Sequence, residues 1–330
     1  SYQYDSIGRI VKQENCHNAE VLEMLQYGYD SQGRKNKVLR KGSIYQEPAE
    51  LDYQYNANGN LEKIYCNHQL KTKMDYDNFG NRIRMSQGND ITTYAYNQVN
   101  QLMKMENNKG QFEYSYDKRG NLTKKSLNGQ ELLNLEFDAQ GLLRSLKSLD
   151  GETRYDYNGL GQRVSANIRK TEGEVIKEQY LYNPHREYNN LMQYGNGQES
   201  TAVFWDGELL GSLSDAHQSF FMNDYKMSPV GKIVNGNFCG YSEDVFGNYN
   251  YAEASLGTKD IFGFTGYMRD EMSGLYFSNG RQYDAESGRF ISRDSNPGTI
   301  ISPITMNPYI YCYGDPVNYW DPTGEVVAWL

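Results

Sequence analysis

The chain has 330 residues, with 33 Lys and Arg against 42 Asp and Glu, a net charge of −9 and a mean hydropathy of −0.81. The acidic balance argues against nucleic acid as a partner of the whole surface, because phosphate binding needs an excess of cations. No apolar run approaches the about 18 residues that a membrane-spanning helix requires. Although only 38% of residues are hydrophobic, 14% are aromatic and 30 are Tyr, which argues against disorder. Tyr joins an apolar body to a polar tip, so the composition fits a thin wall with water on both sides.

In chain order, Ser1 enters in mid-pattern, and the expectation is that the numbering starts inside a longer polypeptide. A unit then recurs: Tyr-x-Tyr or its like, Asp or Asn, two residues, then Gly. Its Asx anchors are Asp5, Asp30, Asn56, Asp77, Asn97, Asp117, Asp138 and Asn158, spaced 20 to 26 residues apart. Tyr-x-Tyr puts both rings on one face of a strand. The Asx side chain bonds to the backbone two residues on, and Gly takes φ > 0. Each unit is therefore a β-hairpin of about 20 residues, and stacked hairpins make one continuous antiparallel sheet. Regular recurrence points to architecture rather than to a ligand platform. The turn acids recur singly, unlike the clustered acids of a calcium loop.

Over 166–255 the pattern loosens, though Tyr180 to Asn183, Phe204 to Gly207 and Phe220 to Asp224 still read as strand then turn. A few short helices are expected, one near 258–262. Cys16, Cys66, Cys239 and Cys312 form no CxxC pair and read as buried or half-buried free thiols. His17, His68, His185 and His217 are scattered, which argues against a metal site or a His-based triad.

The C-terminal part carries Gly266, Tyr267, Arg269, Asp270, Gly274, Leu275 and Tyr276, then Gly280, Arg281, Tyr283, Asp284, Gly288, Arg289, Phe290, Ser292, Arg293 and Asp294. It ends in Tyr309, Tyr311, Tyr313, Pro316, Asn318, Tyr319, Asp321, Pro322 and Gly324. With the Tyr-Asp repeats, this segment resembles the RHS/YD-repeat proteins with a C-terminal RHS-repeat-associated core domain, the family of toxin-complex C proteins and bacterial polymorphic toxins. The resemblance covers nearly the whole chain. It divides the chain into a YD-repeat sheet (1–165), degenerate β-repeats continuing it (166–255) and the core domain (256–330). It implies an all-β fold in which the sheet spirals as part of a hollow cocoon with both faces wet, stoppered by an inward-curling plug.

It also implies an aspartyl autoprotease in the plug, acting only in cis. Carried over by motif, Asp294 and Asp321 are the two acids that share a proton, and Arg281 is the site's arginine. Family cleavage follows the Leu of Asp-Pro-x-Gly-Leu. Glu325 stands in that place, Ser295 replaces the Pro that usually follows the first acid, and the acids lie 27 positions apart. Because the sequence stops on a Leu, a cut after Leu330 is one expectation; Asp294 and Asp321 as ordinary turn residues, without catalysis, are the other.

Three functions follow. The first is a shell segment that holds a C-terminal toxin polypeptide and releases it after delivery, synthesised in the cytoplasm and extracellular thereafter. The alternative is an adhesion module that binds glycans or a receptor without proteolysis; a third is a stand-alone hydrolase with an acid pair. No cofactor is expected. Eight clear repeats are too few to close a cocoon, so an upstream portion of the shell is an expected partner.

Overall fold

In the computed structural model, described over residues 1–17, 19–43, 45, 47–188, 190–241, 244–248 and 261–329, each repeat is organised by its turn. At the first turn the Asp5 N–H donates to the Arg9 carbonyl (2.9 Å), and the Gly8 N–H donates to the Asp5 carbonyl (3.1 Å). Asp5 Oδ1 accepts the N–H groups of Ile7 and Arg9 at 3.0 and 2.9 Å. Asp30, Asn56, Asp77, Asn97, Asp117, Asp138 and Asn158 repeat this arrangement. So do Asp224 and Asp244, beyond the clear repeats. Gly8 sits at φ +87°, but Asn100 (+62°) and Met227 (+64°) hold the same left-handed place without being glycine.

The strand that follows each turn is bulged near its start, with one extra residue, as at Val11, Asn36, Glu62, Ile83, Thr123 and Arg144, set against the last residues before the turn. Register slips at Tyr4, Tyr29, Tyr55, Tyr76, Tyr116, Phe137, Tyr157, Tyr182 and Trp205. A bulge adds right-handed twist. The same increment, applied once per hairpin, coils the strip.

The strip is a 23-stranded antiparallel meander from Tyr2–Tyr4 to Asn237–Gly240, each strand paired with its sequence neighbours. The first ring of most Tyr-x-Tyr pairs is buried, as at Tyr27, Tyr53, Tyr94, Tyr114 and Tyr155, whereas Tyr2 at the start of the strip is exposed. The second ring donates its phenol to a carbonyl one hairpin back: Tyr29 to Ile10, Tyr76 to Leu61, Tyr96 to Arg82 and Tyr157 to Leu143, at 2.6 to 2.8 Å. Trp205 does the same with its indole N–H to Leu191. Coiling brings the end of the strip onto its beginning. Gln13 and Asn15 donate to the Asn223 carbonyl at 2.6 and 3.3 Å, Tyr2 donates to Glu208, and Tyr27 meets Tyr225 edge-on.

Residues 261–329 fill the coil. Short strands Met268–Arg269, Tyr276–Phe277, Gln282–Asp284 and Arg289–Phe290 pair around an aromatic centre of Phe264, Tyr267, Tyr283 and Tyr311. Leu275 and Ile291 of this plug enter the wall's cluster of Leu102, Phe112, Leu122, Leu135 and Leu146. Phe262 and Phe277 pack on Tyr194 and Leu209, and Val317 packs on Tyr53 and Leu61. The expectation of water on both faces is thereby corrected: the inner face is apolar and covered by the chain's own C-terminal part. The low Leu, Ile and Val content reflects the wet outer face and the many turns, averaged with a packed inner face.

Polar contacts sit along the turn rim. Asn60 donates to the Tyr313 carbonyl (2.7 Å), and Arg289 donates to Asn81 (3.0 Å) and to the Asn100 carbonyl (2.8 Å). Tyr309 donates to the Gly120 carbonyl (2.9 Å), and the Lys35 N–H donates to Asn318 (2.7 Å). Buried Lys125 pairs with Asp284 and Glu286 at 3.3 and 2.8 Å.

Helical content among the described residues is three single-turn segments, Phe264–Gly266, Pro303–Met306 and Cys312–Gly314. Of the helix expected near 258–262, residues 258–260 lie outside the described residues, and Phe262 forms a β-bridge with Met268. Cys16 is exposed rather than half-buried, because strand alternation turns Gln13 and Asn15 inward to the Asn223 carbonyl and Cys16 outward.

The turns predict a graded response to added Cβ atoms. Gly59 (φ +87°) faces open space, whereas at Gly120 (φ +92°) a Cβ would come within 2.5 Å of the Tyr309 hydroxyl. Gly59→Ala should cost about 1 kcal/mol and Gly120→Ala about 2 to 3 kcal/mol in urea unfolding, the difference measuring the plug contact.

Candidate active site

Arg281 follows a tight turn in which the Ser278 N–H and hydroxyl both donate to the Arg281 carbonyl at 3.0 Å. The next strand, Gln282–Asp284, anchors it in the plug. Its guanidinium is buried, with its carbon 3.7 Å from the centre of the Phe290 ring. One face of the fork serves backbone: Nη1 donates to the Pro308 carbonyl (3.0 Å) and Nε to the Gly324 carbonyl. Nη2 faces the acids, 2.8 Å from Asp294 Oδ2 and 3.6 Å from Asp321 Oδ2.

The two acids have unlike surroundings. Asp294 is partly open to solvent; its N–H donates to the Pro308 carbonyl (3.0 Å) and its Oδ1 accepts the Asn296 N–H (2.7 Å). Asp321 is fully buried. Strands Tyr319–Trp320 and Ala328–Trp329 pair, and the loop between them wraps the Asp321 carboxyl. Oδ1 accepts the N–H groups of Gly324 (2.8 Å) and Val326 (3.1 Å), while Oδ2 has no hydrogen-bond donor among the described residues. The Tyr267 phenol holds the Asp321 carbonyl.

Burial pushes the Asp321 carboxyl above its ordinary value. The Arg281 charge and the two N–H donors oppose that, and Asp294 adds to it. Burial likewise lowers Arg281, against the pull of Asp294 and Asp321. The arrangement is thus one buried acid whose carboxyl is pushed up and one partly exposed acid, bridged by a cation. The structure brings together all three residues expected from the sequence motifs. The acids meet through Arg281 Nη2, and no direct hydrogen bond joins them among the described residues. Sequence reasoning missed Tyr267 and the Val326 N–H as partners of Asp321, although Tyr267 lies in the recognised motif. Leu330 lies outside the described residues.

Away from the plug, His68 Nδ1 comes 3.9 Å from Glu50 and 4.0 Å from Asp52 on the sheet's exposed face, a grouping sequence spacing did not show. Lys37 already supplies the cation there, 2.8 Å from Glu50 and 3.5 Å from Asp52.

The family model described as Teneurin YD-shell matches residues 1–317. The chain belongs to the teneurin YD-shell family. Relatives of this YD-shell chain include the tRNA3(Ser)-specific nuclease WapA of Bacillus spizizenii, 27% identical over 77% of the chain and 11% of the relative. Teneurin-3 of Danio rerio is 24% identical over 98% of the chain and 12% of the relative. Among solved structures, the TcdB2-TccC3-TEV crystal structure superposes with a TM-score of 0.66 at 17% identity, covering 98% of this chain and 19% of that one. The Photorhabdus luminescens Tc holotoxin pore gives 0.63 at 15% identity over the same shares. These likenesses establish a shared fold. The YD-shell chain spans about a ninth of the curated relatives it matches.

Six residues before Asp321, Asp315 ties the plug to the wall. It accepts the Asn318 side-chain amide at 2.8 Å, and Asn318 in turn accepts the Lys35 N–H and donates to the Tyr55 hydroxyl. Burial raises its carboxyl from 3.8 to about 6. Between those values the folded chain keeps a proton that the unfolded chain releases, so stability falls as pH rises through about 4 to 6. The expected loss is up to about 3 kcal/mol, seen as a drop in urea midpoints across that window. In Asp315→Asn that drop should be largely absent.

Proposed function

We propose that this YD-shell segment closes one end of a cage that holds a toxin polypeptide C-terminal to it, and that the plug frees the cargo by cutting its own chain. The observation that carries this reading is the contrast around Arg281. Asp294 is partly open to solvent, whereas Asp321 is buried, has its carboxyl pushed up by that burial and accepts the Val326 N–H. Dissimilar surroundings divide the roles of general base and general acid. Asp294 accepts a proton from a water whose oxygen attacks the Glu325 carbonyl carbon. As the Glu325–Val326 bond breaks, the proton of Asp321 passes to the Val326 nitrogen. A new carboxylate and a new amine result, and proton exchange through water restores the acids. Arg281 holds both acids and, through Nε, the Gly324 carbonyl beside the reacting bond.

Relatives named as tRNA nucleases and structures titled as Tc toxin assemblies support containment and delivery outside the producing cell. Because residues 261–329 occupy the coil formed here, the cargo space would be bounded by further wall upstream. A second reading, adhesion, is favoured by exposed Phe204 and Phe220, which flank Gly211 in one row of the sheet's outer face. It expects glycan or receptor binding that Phe204→Ser with Phe220→Ser removes, and a chain that stays whole.

The test is intact mass of the full-length polypeptide carrying this chain. The wild type should be cut before Val326. Asp294→Asn and Asp321→Asn should each slow the cut by about 100-fold or more. The same cut at the same rate in all three would remove these acids from the reaction.

A further inference from the structure

Ser295, next to Asp294, and Glu325, four residues past Asp321, touch each other. Ser295 and Glu325 stand 30 residues apart, and the Ser295 hydroxyl donates to Glu325 Oε1 at 3.4 Å. The Glu325 side chain lies over the bare Cα of Gly280, where a Cβ would come within 3.3 Å of Glu325 Cγ and 2.9 Å of the Thr323 carbonyl oxygen. The Gly280 N–H donates to that same carbonyl at 2.9 Å, and the Glu325 N–H donates to Thr323 Oγ1 at 3.3 Å. The backbone just before Glu325 is therefore held against the turn that presents Arg281. The negative charge of Glu325 is also within electrostatic reach of the Arg281 guanidinium.

Each of the two makes chemical sense with the other. A proline after Asp294 would offer no hydroxyl, and a leucine at 325 would offer no acceptor. We propose that Ser295, Gly280 and the Arg281 cation form a subsite that selects an acidic side chain at the residue preceding the scissile bond. The subsite rests on the reading that the Glu325–Val326 peptide is the bond cut. Ser295 and Glu325 are exposed and their hydrogen bond is long. Wet contacts of that kind are worth little each, so the selection is a matter of rate rather than of all or none.

The test follows the cut fraction over time by intact mass after cell-free synthesis of the full-length chain. Glu325→Leu should be cut about 10-fold more slowly and Ser295→Ala about 3-fold more slowly. Ser295→Ala should have no further effect on top of Glu325→Leu, because coupled positions do not add. Equal unfolding midpoints for all variants, expected at exposed positions, separate these rates from folding. If Asp321→Asn stays whole while Glu325→Leu is cut at the wild-type rate, or if the two effects simply add, the subsite is overturned and the protease stands. If the wild type stays whole, or Asp321→Asn is cut as fast, both are overturned.

Discussion

One small hydrogen-bond pattern sets the shape of the molecule. An Asx oxygen accepts two backbone N–H groups of its own turn, which accompanies a left-handed residue and a one-residue bulge at the start of the following strand. A single bulge bends one hairpin. Repeated at nearly every hairpin with the same hand, it bends the whole strip until the turn at 224–228 lies on strands near the start. Curvature is thus encoded locally, at each turn, and no long-range contact is needed to specify it.

The coil would be unstable empty, because its inner face carries Leu102, Met105, Phe112, Leu135 and Leu146. The C-terminal part covers that face and holds Arg281 and Asp321 buried within itself, with Asp294 partly exposed beside them. Burial gives the site its asymmetry: one loop folds around Asp321 and dries it, while Asp294 stays at the edge. A loop built only for structure would satisfy both oxygens of a fully buried carboxyl. Oδ1 of Asp321 is satisfied by two N–H groups, but Oδ2 meets only the more distant Arg281.

The wall was legible in the sequence because its turns demand particular residues. Asp5 and Gly8 can be read as a turn with no other knowledge, and so can Asp117 and Gly120. The turn at Asp224 is harder, since Met227 stands where glycine belongs; the Asp224 carboxylate alone preserves the geometry. The phenol of Tyr157 reaching the Leu143 carbonyl was not legible, because it joins neighbouring hairpins through a register that only the bulge defines. The filling of the coil was hidden for a different reason. Composition averages a packed inner face with a wet outer one, and the mean resembles a sheet that is wet on both. For the site, motifs identified Asp294 and Asp321, but the contact between Ser295 and Glu325 depends on how a 27-residue excursion returns to the same spot.

The strictly sequential strand order also governs how such a molecule is made. Every strand from Tyr2–Tyr4 to Asn237–Gly240 pairs with the one synthesised just before it, so the ribbon can grow hairpin by hairpin as it leaves the ribosome. The stopper emerges after the wall, and its anchors reach far back: Asn318 to Lys35 across 283 residues, Arg289 to Asn81 across 208. Arg281, Asp294 and Asp321 all belong to this late segment. Translation order alone therefore delays assembly of the triad until the enclosure that surrounds it has been built.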